Sequence, residues 1–274
     1  MIELPESMSI AGQIRERLQG KTVAGVEVNR SPHKFAWFHG EPSAYEAKLM
    51  NKKVTGANAF GGIIEIEFGD TRLALFEDPN PRYFEKGAKL PDKHQLCVGF
   101  GDGSALVCTV KLYGAMWLMG PDDAEEGYYV SSKTGVSPLS DENDEDYFFG
   151  LMGKVKQTYS MKAFLATEQR YPGLGNGVLQ DILFNAGIHP RRKLASLSEQ
   201  EKAVLYQSVK RTLSEMVEHG GRDTENDLFG NPGGYKTKLS AKTKDMPCPV
   251  CGGAIVKEAY MGGSVYFCPT CQKK

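Results

Sequence analysis

The hydrophobic pattern changes character twice along the chain. At the start, MIELPESMSIAGQIRERLQG places Ile10, Ile14 and Leu18 on one helical face. Ser7 or Ser9 is a candidate cap for that helix and Gly20 its stop. From Lys21 to about Trp117 the pattern is β, with apolar, β-rich runs at 22–28, 62–68, 72–76, 95–100 and 106–112. Gly69-Asp70 and Gly101-Asp102-Gly103 sit between runs as hairpin turns. Short strands joined by tight turns predict a sandwich or barrel-like domain. Pro79-Asn80-Pro81 interrupts the runs and is expected to open a loop through Arg82, Tyr83 and Phe84. Residues 121–146 hold nine acidic side chains and read as a linker or surface segment.

From Tyr147 onward the period becomes helical. A short helix is expected over 162–169, then the glycine-rich turn Tyr171-Pro-Gly-Leu-Gly-Asn-Gly177, then a helix over 178–185. Ser198-Glu-Gln-Glu201 is a capping box. It opens a long helix with Val204, Leu205, Val209, Leu213, Met216 and Val217 on one face, closed by Gly220-Gly221. That stripe reads as core.

The last segment carries the most specific chemistry. Cys248/Cys251 and Cys268/Cys271 are two Cys-x-x-Cys knuckles flanking a 16-residue insert. Each knuckle puts two thiolates on one turn, and two facing turns make the tetrahedral sulfur shell of Zn²⁺. The insert is expected to be a hairpin, with strands at 254–260 and 264–267 about a Gly262-Gly263 turn. The competing reading is two unrelated redox pairs. A closed zinc site supplies folding energy rather than chemistry.

Composition adds little for the whole chain and more for its halves. Apolar residues are 41% and charged residues 24%, ordinary for a globular protein. Cys97 and Cys108 are left as free thiols, which suits a reducing cytoplasm. No leader and no long apolar run suggests a membrane. Net charge is −1, yet residues 151–274 carry 18 Lys+Arg against 11 Asp+Glu, a net of +7, leaving −8 on the first 150. A basic second half is a possible phosphate-binding footprint, and uneven surface charge is the plainer account.

Three stretches, in order, resemble one family. They are Met1-x-Glu3-Leu4-Pro5-Glu6, the turn Gly173-Leu174-Gly175-Asn176 followed by Ala186–Pro190, and the finger ending Phe267-Cys-Pro-Thr-Cys-Gln272. The chain is similar to the formamidopyrimidine-DNA glycosylase / endonuclease VIII family of base-excision repair enzymes. The resemblance implies an α+β fold. Its expected parts are an N-terminal β-sandwich (1–120), the acidic linker (121–146), a helix–two-turn–helix domain (147–240) and a zinc finger (241–274). It implies one structural Zn²⁺ and damaged double-stranded DNA as the partner, with no membrane, the chain acting as a cytoplasmic monomer, nucleoid-associated in a bacterium. It makes Glu3 the catalytic carboxylate and Asn176 a contact to the DNA backbone. Gly173, Gly175 and Gly177 let the backbone approach a phosphate, and the helix N-terminus favours an anion. Lys257 on the finger and Arg82 complete the expected DNA-binding set. The plainer accounts are a helix-entry charge for Glu3 and Glu6 and an ordinary turn for Asn176.

The departures from the family fall on the chemistry. There, Met1 is removed and a following proline attacks C1′ through its secondary amine. Here Ile2 takes that position, and methionine is rarely trimmed before so bulky a residue. A retained Met1 amine has an ordinary pKa of about 7.7–8.0, so nucleophilicity is not what it lacks. Its position is displaced by up to roughly 3.5 Å. Ala59 replaces a strand lysine of the family. The finger arginine falls at about Gly263, and the Asn-Asp-Pro-Arg-Arg-Phe-Gly segment is replaced by Val110–Gly114. Arg82, Tyr83 and Phe84 could serve as a wedge. The catalytic set is thus Glu3, Met1, Ile2 and Glu6. Two classes of function follow: a glycosylase, hydrolytic and monofunctional with weak or absent AP lyase activity, or a catalytically silent damaged-DNA-binding protein. A grip on RNA or protein is a remote third.

Overall fold

In the computed structural model, which describes all of residues 1–274, helix α1 (Leu4–Leu18) begins ahead of both expected serine caps. Its N-cap is Glu3, and Pro5 sits in the first turn, where a missing N–H is no loss. Glu6 closes a capping box, its Oε2 accepting from the Glu3 backbone N–H at 3.1 Å. Two carboxylates at the positive end of the helix dipole outcompete serine here. Ser7 lies inside the helix, and its hydroxyl donates to the carbonyls of Leu4 and Gly61.

The chain divides into two units, 1–133 with 225–232, and 134–224 with 233–274. The first holds α1, β1 (Val23–Val28), β2 (Ala36–Phe38), α2 (Tyr45–Leu49), β3 (Gly56–Phe60), β4 (Ile63–Phe68), β5 (Thr71–Glu77), β6 (Pro81–Phe84), β7 (Leu96–Phe100), β8 (Ala105–Cys108), β9 (Gly114–Met119) and α3 (Gly127–Thr134). They form a four-stranded sheet, β1-β7-β8-β6, and a five-stranded sheet, β2-β9-β5-β4-β3. One core joins Val98 and Leu106 of the first sheet, Ile66, Leu75 and Leu118 of the second, and Ile10, Ile14 and Leu18 of α1. This is the expected β-sandwich.

Other local readings needed correction too: the run expected over 106–112 ends as a strand at Cys108, and the turn of the finger hairpin falls at Met261-Gly262 because Gly263 already pairs with Tyr260. Residues 81–84 are strand β6, not loop: Pro81 is the first residue of an edge strand, where its missing N–H breaks no ladder bond. Strand β9 is buried at five of its six positions and so shows no alternation to read. The acidic stretch contains α3 and runs into the next helix.

The second unit holds α4 (Glu145–Gly153), α5 (Met161–Ala166), α6 (Asn176–Asn185), α7 (Glu199–Glu218), β10 (Val256–Tyr260) and β11 (Gly263–Phe267). α4 is capped by Asp144, which accepts from the Tyr147 N–H at 2.8 Å. The Ser198/Glu201 capping box is present as expected. β10 and β11 pair antiparallel, Val256 opposite Phe267 and Tyr260 opposite Gly263. The hairpin packs on α6. No helix is long and apolar enough to cross a membrane.

Segment 225–232 belongs to the sandwich. Leu228 is wholly buried in its core, its carbonyl accepts from the Tyr83 N–H at 2.9 Å, and its N–H donates to Gln13 Oε1 at 2.9 Å.

Candidate functional site

In the first unit the candidate catalytic residues gather at the start of α1. Glu3 and Glu6 are buried, at 4% and 3% exposure, and each carboxylate accepts a backbone N–H of the capping box, as burial of a polar group demands. Ile2 is buried too, and its backbone N–H donates to the Glu77 carbonyl at 2.9 Å. Glu77 holds φ +68, a strained conformation for a non-glycine residue. Burial pushes its carboxyl up from the ordinary range.

The Met1 ammonium lies 2.8 Å from the Glu225 carboxylate and 3.9 Å from Asp78. The ion pair sets the amine among acidic side chains at the start of α1. Ile2, Glu6, Asp78, Arg82 and Glu225 help line a cavity of about 20 Å³, room for about one water. Arg82 projects from β6 and is lowered from its ordinary pKa by burial, against the pull of Asp227 and Asp78. Sequence reasoning missed Asp78, Glu77 and Glu225. They sit at a strand end and on loops, and only the fold brings them to the N-terminus.

In the second unit Gly175 is the N-cap of α6 and Asn176 its first residue. Gly173 has φ +77, which the tight turn before the helix requires of a glycine. Gly177 lies in the first turn of α6. The Asn176 Nδ2 donates to the Ser264 carbonyl at 2.9 Å, so its amide holds the hairpin, while its Oδ1 is buried with no partner. Gln180, one turn on, donates to the same carbonyl at 3.2 Å and accepts from the Tyr266 N–H at 2.9 Å. Lys162 of α5, 3% exposed, donates to the Tyr260 carbonyl at 2.6 Å. Neither Gln180 nor Lys162 stood out in the sequence, where both read as helix positions. Lys257 is exposed on β10. A Cβ placed on Gly263 would lie 3.4 Å from Lys162 Nζ and 3.6 Å from the Asn176 amide.

The four finger cysteines converge, with ligand atoms all within 4.8 Å of one another. The Sγ atoms of Cys248 and Cys271 are 3.8 Å apart, and those of Cys251 and Cys268 are 3.5 Å apart. A tetrahedral shell with Zn–S of about 2.3 Å has sulfur–sulfur edges of about 3.8 Å, so the thiols fit one zinc ion. Gln272 supports the knuckle, accepting from the Cys268 N–H at 2.9 Å and donating to the Ile188 carbonyl at 3.0 Å. Cys97 and Cys108 are buried on β7 and β8 of the sandwich and are not members of this cluster.

The helices around the glycine-rich turn are those of an H2TH protein, and the zinc hairpin is a separate module beside them. The formamidopyrimidine-DNA glycosylase H2TH domain matches residues 134–227, and a zinc finger found in FPG and IleRS matches residues 247–274. A formamidopyrimidine-DNA glycosylase of Cytobacillus firmus is 32% identical over 99% of this chain and 100% of its own. One from Pelotomaculum thermopropionicum is 28% identical over 100% and 99%. The Lactococcus lactis Fpg, solved in complex with an abasic site containing DNA, superposes with a TM-score of 0.83 at 25% identity, covering 99% of this chain and 100% of that one. The chain belongs to the formamidopyrimidine-DNA glycosylase family, and its finger is a site for one structural zinc ion.

Proposed function

We propose that this protein is a base-excision-repair DNA glycosylase that binds damaged duplex DNA and releases the damaged base by hydrolysis. The observation that carries the reading is the family likeness over the whole chain at 32% identity. Glu3 is the general acid/base. Water attacks C1′, the N-glycosidic bond breaks, and its electron pair leaves with the base, which takes up a proton. The product is an intact strand with an abasic site. Two features support weak or absent lyase activity: Ile2 stands where the family has its proline, and the Met1 amine is paired with Glu225. Asn176, the glycine turn, Lys257 and Arg82 are proposed DNA contacts. The proposed location is the cytoplasm or nucleoid, where a DNA substrate would be met, and the proposed state is a monomer.

The test is a heat-and-alkali excision assay beside borohydride trapping on duplexes carrying damaged bases or abasic sites. Wild type should give alkali-dependent cleavage with little trapping. Glu3→Gln should lower excision by about 10²–10⁴-fold, as loss of general acid–base catalysis does, while DNA binding persists. Binding without excision by wild type would mark the silent protein instead. Efficient trapping would restore the lyase.

A further inference from the structure

Glu77 ends strand β5 in a conformation that a glycine would hold at less cost. Its φ is +68, in the left-handed region that L side chains disfavour. The fold uses the backbone there: the Glu77 carbonyl accepts the Ile2 N–H at 2.9 Å, one residue ahead of Glu3. Nothing in that bond calls for a side chain. A glutamate stands there nonetheless, and its carboxyl is what a glycine could not supply.

That carboxyl differs from the four acids around it. Glu3 and Glu6 are engaged in their capping box, and Asp78 and Glu225 face the Met1 ammonium at 3.9 and 2.8 Å. The Glu77 side chain is partly buried and makes no hydrogen bond or ion pair. Burial pushes its pKa up, against the pull of the Met1 ammonium and with a push from Asp78. The Tyr113 hydroxyl is the third group facing it, raised first by burial and then by Glu77 and Asp78. A carboxyl left without partners in such a place tends to hold its proton. Two carboxyls in unlike surroundings can divide acid and base between them.

We propose that Glu77 is a catalytic acid of base excision, which protonates the departing base while Glu3 takes the proton of the attacking water. This rests on the hydrolytic reading given above, and names the source of the proton that the base takes up. As the water oxygen bonds to C1′, its proton passes to the Glu3 carboxylate. The N-glycosidic bond breaks, its electron pair goes to the base, and the Glu77 proton neutralises it. Exchange with solvent then takes the proton from Glu3 and restores the one on Glu77, so the net change is the hydrolysis of one bond.

Two variants separate the carboxyl from the backbone. Glu77→Gln deletes the acid and keeps the strain. Glu77→Gly deletes the acid, relieves the strain and retains the carbonyl for Ile2. Duplexes each carrying one ring-opened, oxidised or alkylated base are screened with wild type. The best substrate is then used in single-turnover excision across pH, with duplex affinity and thermal unfolding alongside. Both variants should excise about 10²-fold more slowly at unchanged duplex affinity, and Glu77→Gly should do so without a fall in melting temperature. The wild-type rate should drop at high pH as Glu77 gives up its proton, and this limb should be missing from Glu77→Gln. Glu77→Asp, which keeps an acid, should retain the limb and part of the rate. Excision by Glu77→Gln within about threefold of wild type, or an unchanged alkaline limb, would overturn the inference and leave Glu77 a backbone clamp on Ile2. Wild type that releases no base from any duplex would overturn the hydrolytic reading and this inference with it.

Discussion

The Oε1 of Gln180 accepts the backbone N–H of Tyr266 at 2.9 Å, and this contact fastens the zinc hairpin to helix α6. The same side chain donates to the carbonyls of Asn176 and Ser264. One buried amide therefore closes three backbone groups on two elements.

Gln180→Ala should destabilise the protein more than Asn176→Ala. The first leaves the Tyr266 N–H buried without an acceptor, which costs about 1–3 kcal/mol. The second removes one hydrogen bond together with an oxygen that already had no partner, about 0.5–1.5 kcal/mol. Thermal unfolding checks the order. Asn176→Ala should also weaken binding to damaged and undamaged duplex alike, as loss of a backbone contact does. Equal affinities for mutant and wild type would remove Asn176 from the DNA interface.

Metal analysis should find one zinc per chain, held by Cys248, Cys251, Cys268 and Cys271. Cys97→Ser with Cys108→Ser should keep it. A Cys268→Ser variant should lose it, and with it the hairpin, because metal affinity here is folding free energy. Zinc loss from the double variant in the sandwich would contradict the assignment.

How much of this was legible follows from how local each signal is. Ser198-Glu-Gln-Glu201 and the two Cys-x-x-Cys knuckles are complete within a few residues, so their chemistry can be read without a fold. The start of α1 was misread by a few residues because Glu3 and Glu6 form a carboxylate capping box in place of a serine cap. Strand β6 was hidden by Pro81, which is harmless only because the strand lies at a sheet edge. The neighbours of Met1 were out of reach. Asp78 and Glu225 are separated by more than half the chain, and nothing in either stretch announces that they meet. Lys162 was read as one polar position in a helix, since burial of a lysine leaves no trace in the period.

Glu201 gives a pH dependence with a defined sign. Its carboxyl is held below the ordinary range, first by hydrogen bonding to the Arg192 guanidinium and then by the Ser198 backbone N–H. A carboxyl lowered in the folded state binds its proton more weakly there than in the unfolded chain. Its contribution is therefore present above the unfolded value of about 4.5 and is lost as pH falls through the lower folded value. Glu201→Gln keeps the capping box and loses the ion pair with Arg192, so it should lower the melting temperature near pH 7 by up to about 2–4 °C, and by much less near pH 3. A deficit of the same size at both pH values would mean that the charge is not what Glu201 contributes.

Ile2→Pro tests the N-terminus most directly. In wild type, mass spectrometry should find Met1 retained, because Ile2 is too large for efficient trimming. Its amine then stays paired with Glu225 and displaced from the family's position, and little Schiff base should be trapped. Proline at position 2 permits trimming and brings a secondary amine into register. It also removes the Met1–Glu225 ion pair and alters the donor that Ile2 now gives to the Glu77 carbonyl. Trapping should therefore appear but stay weak. Ala59 on β3 still lacks the family's lysine and packs against the sandwich core. Adding Ala59→Lys to Ile2→Pro should raise trapping further, at some expense of stability from a charge placed beside that core. Wild type trapping as strongly as the double variant, with Met1 shown to be present, would mean that the primary amine reaches C1′ despite its carboxylate partner, and the hydrolytic reading would fall.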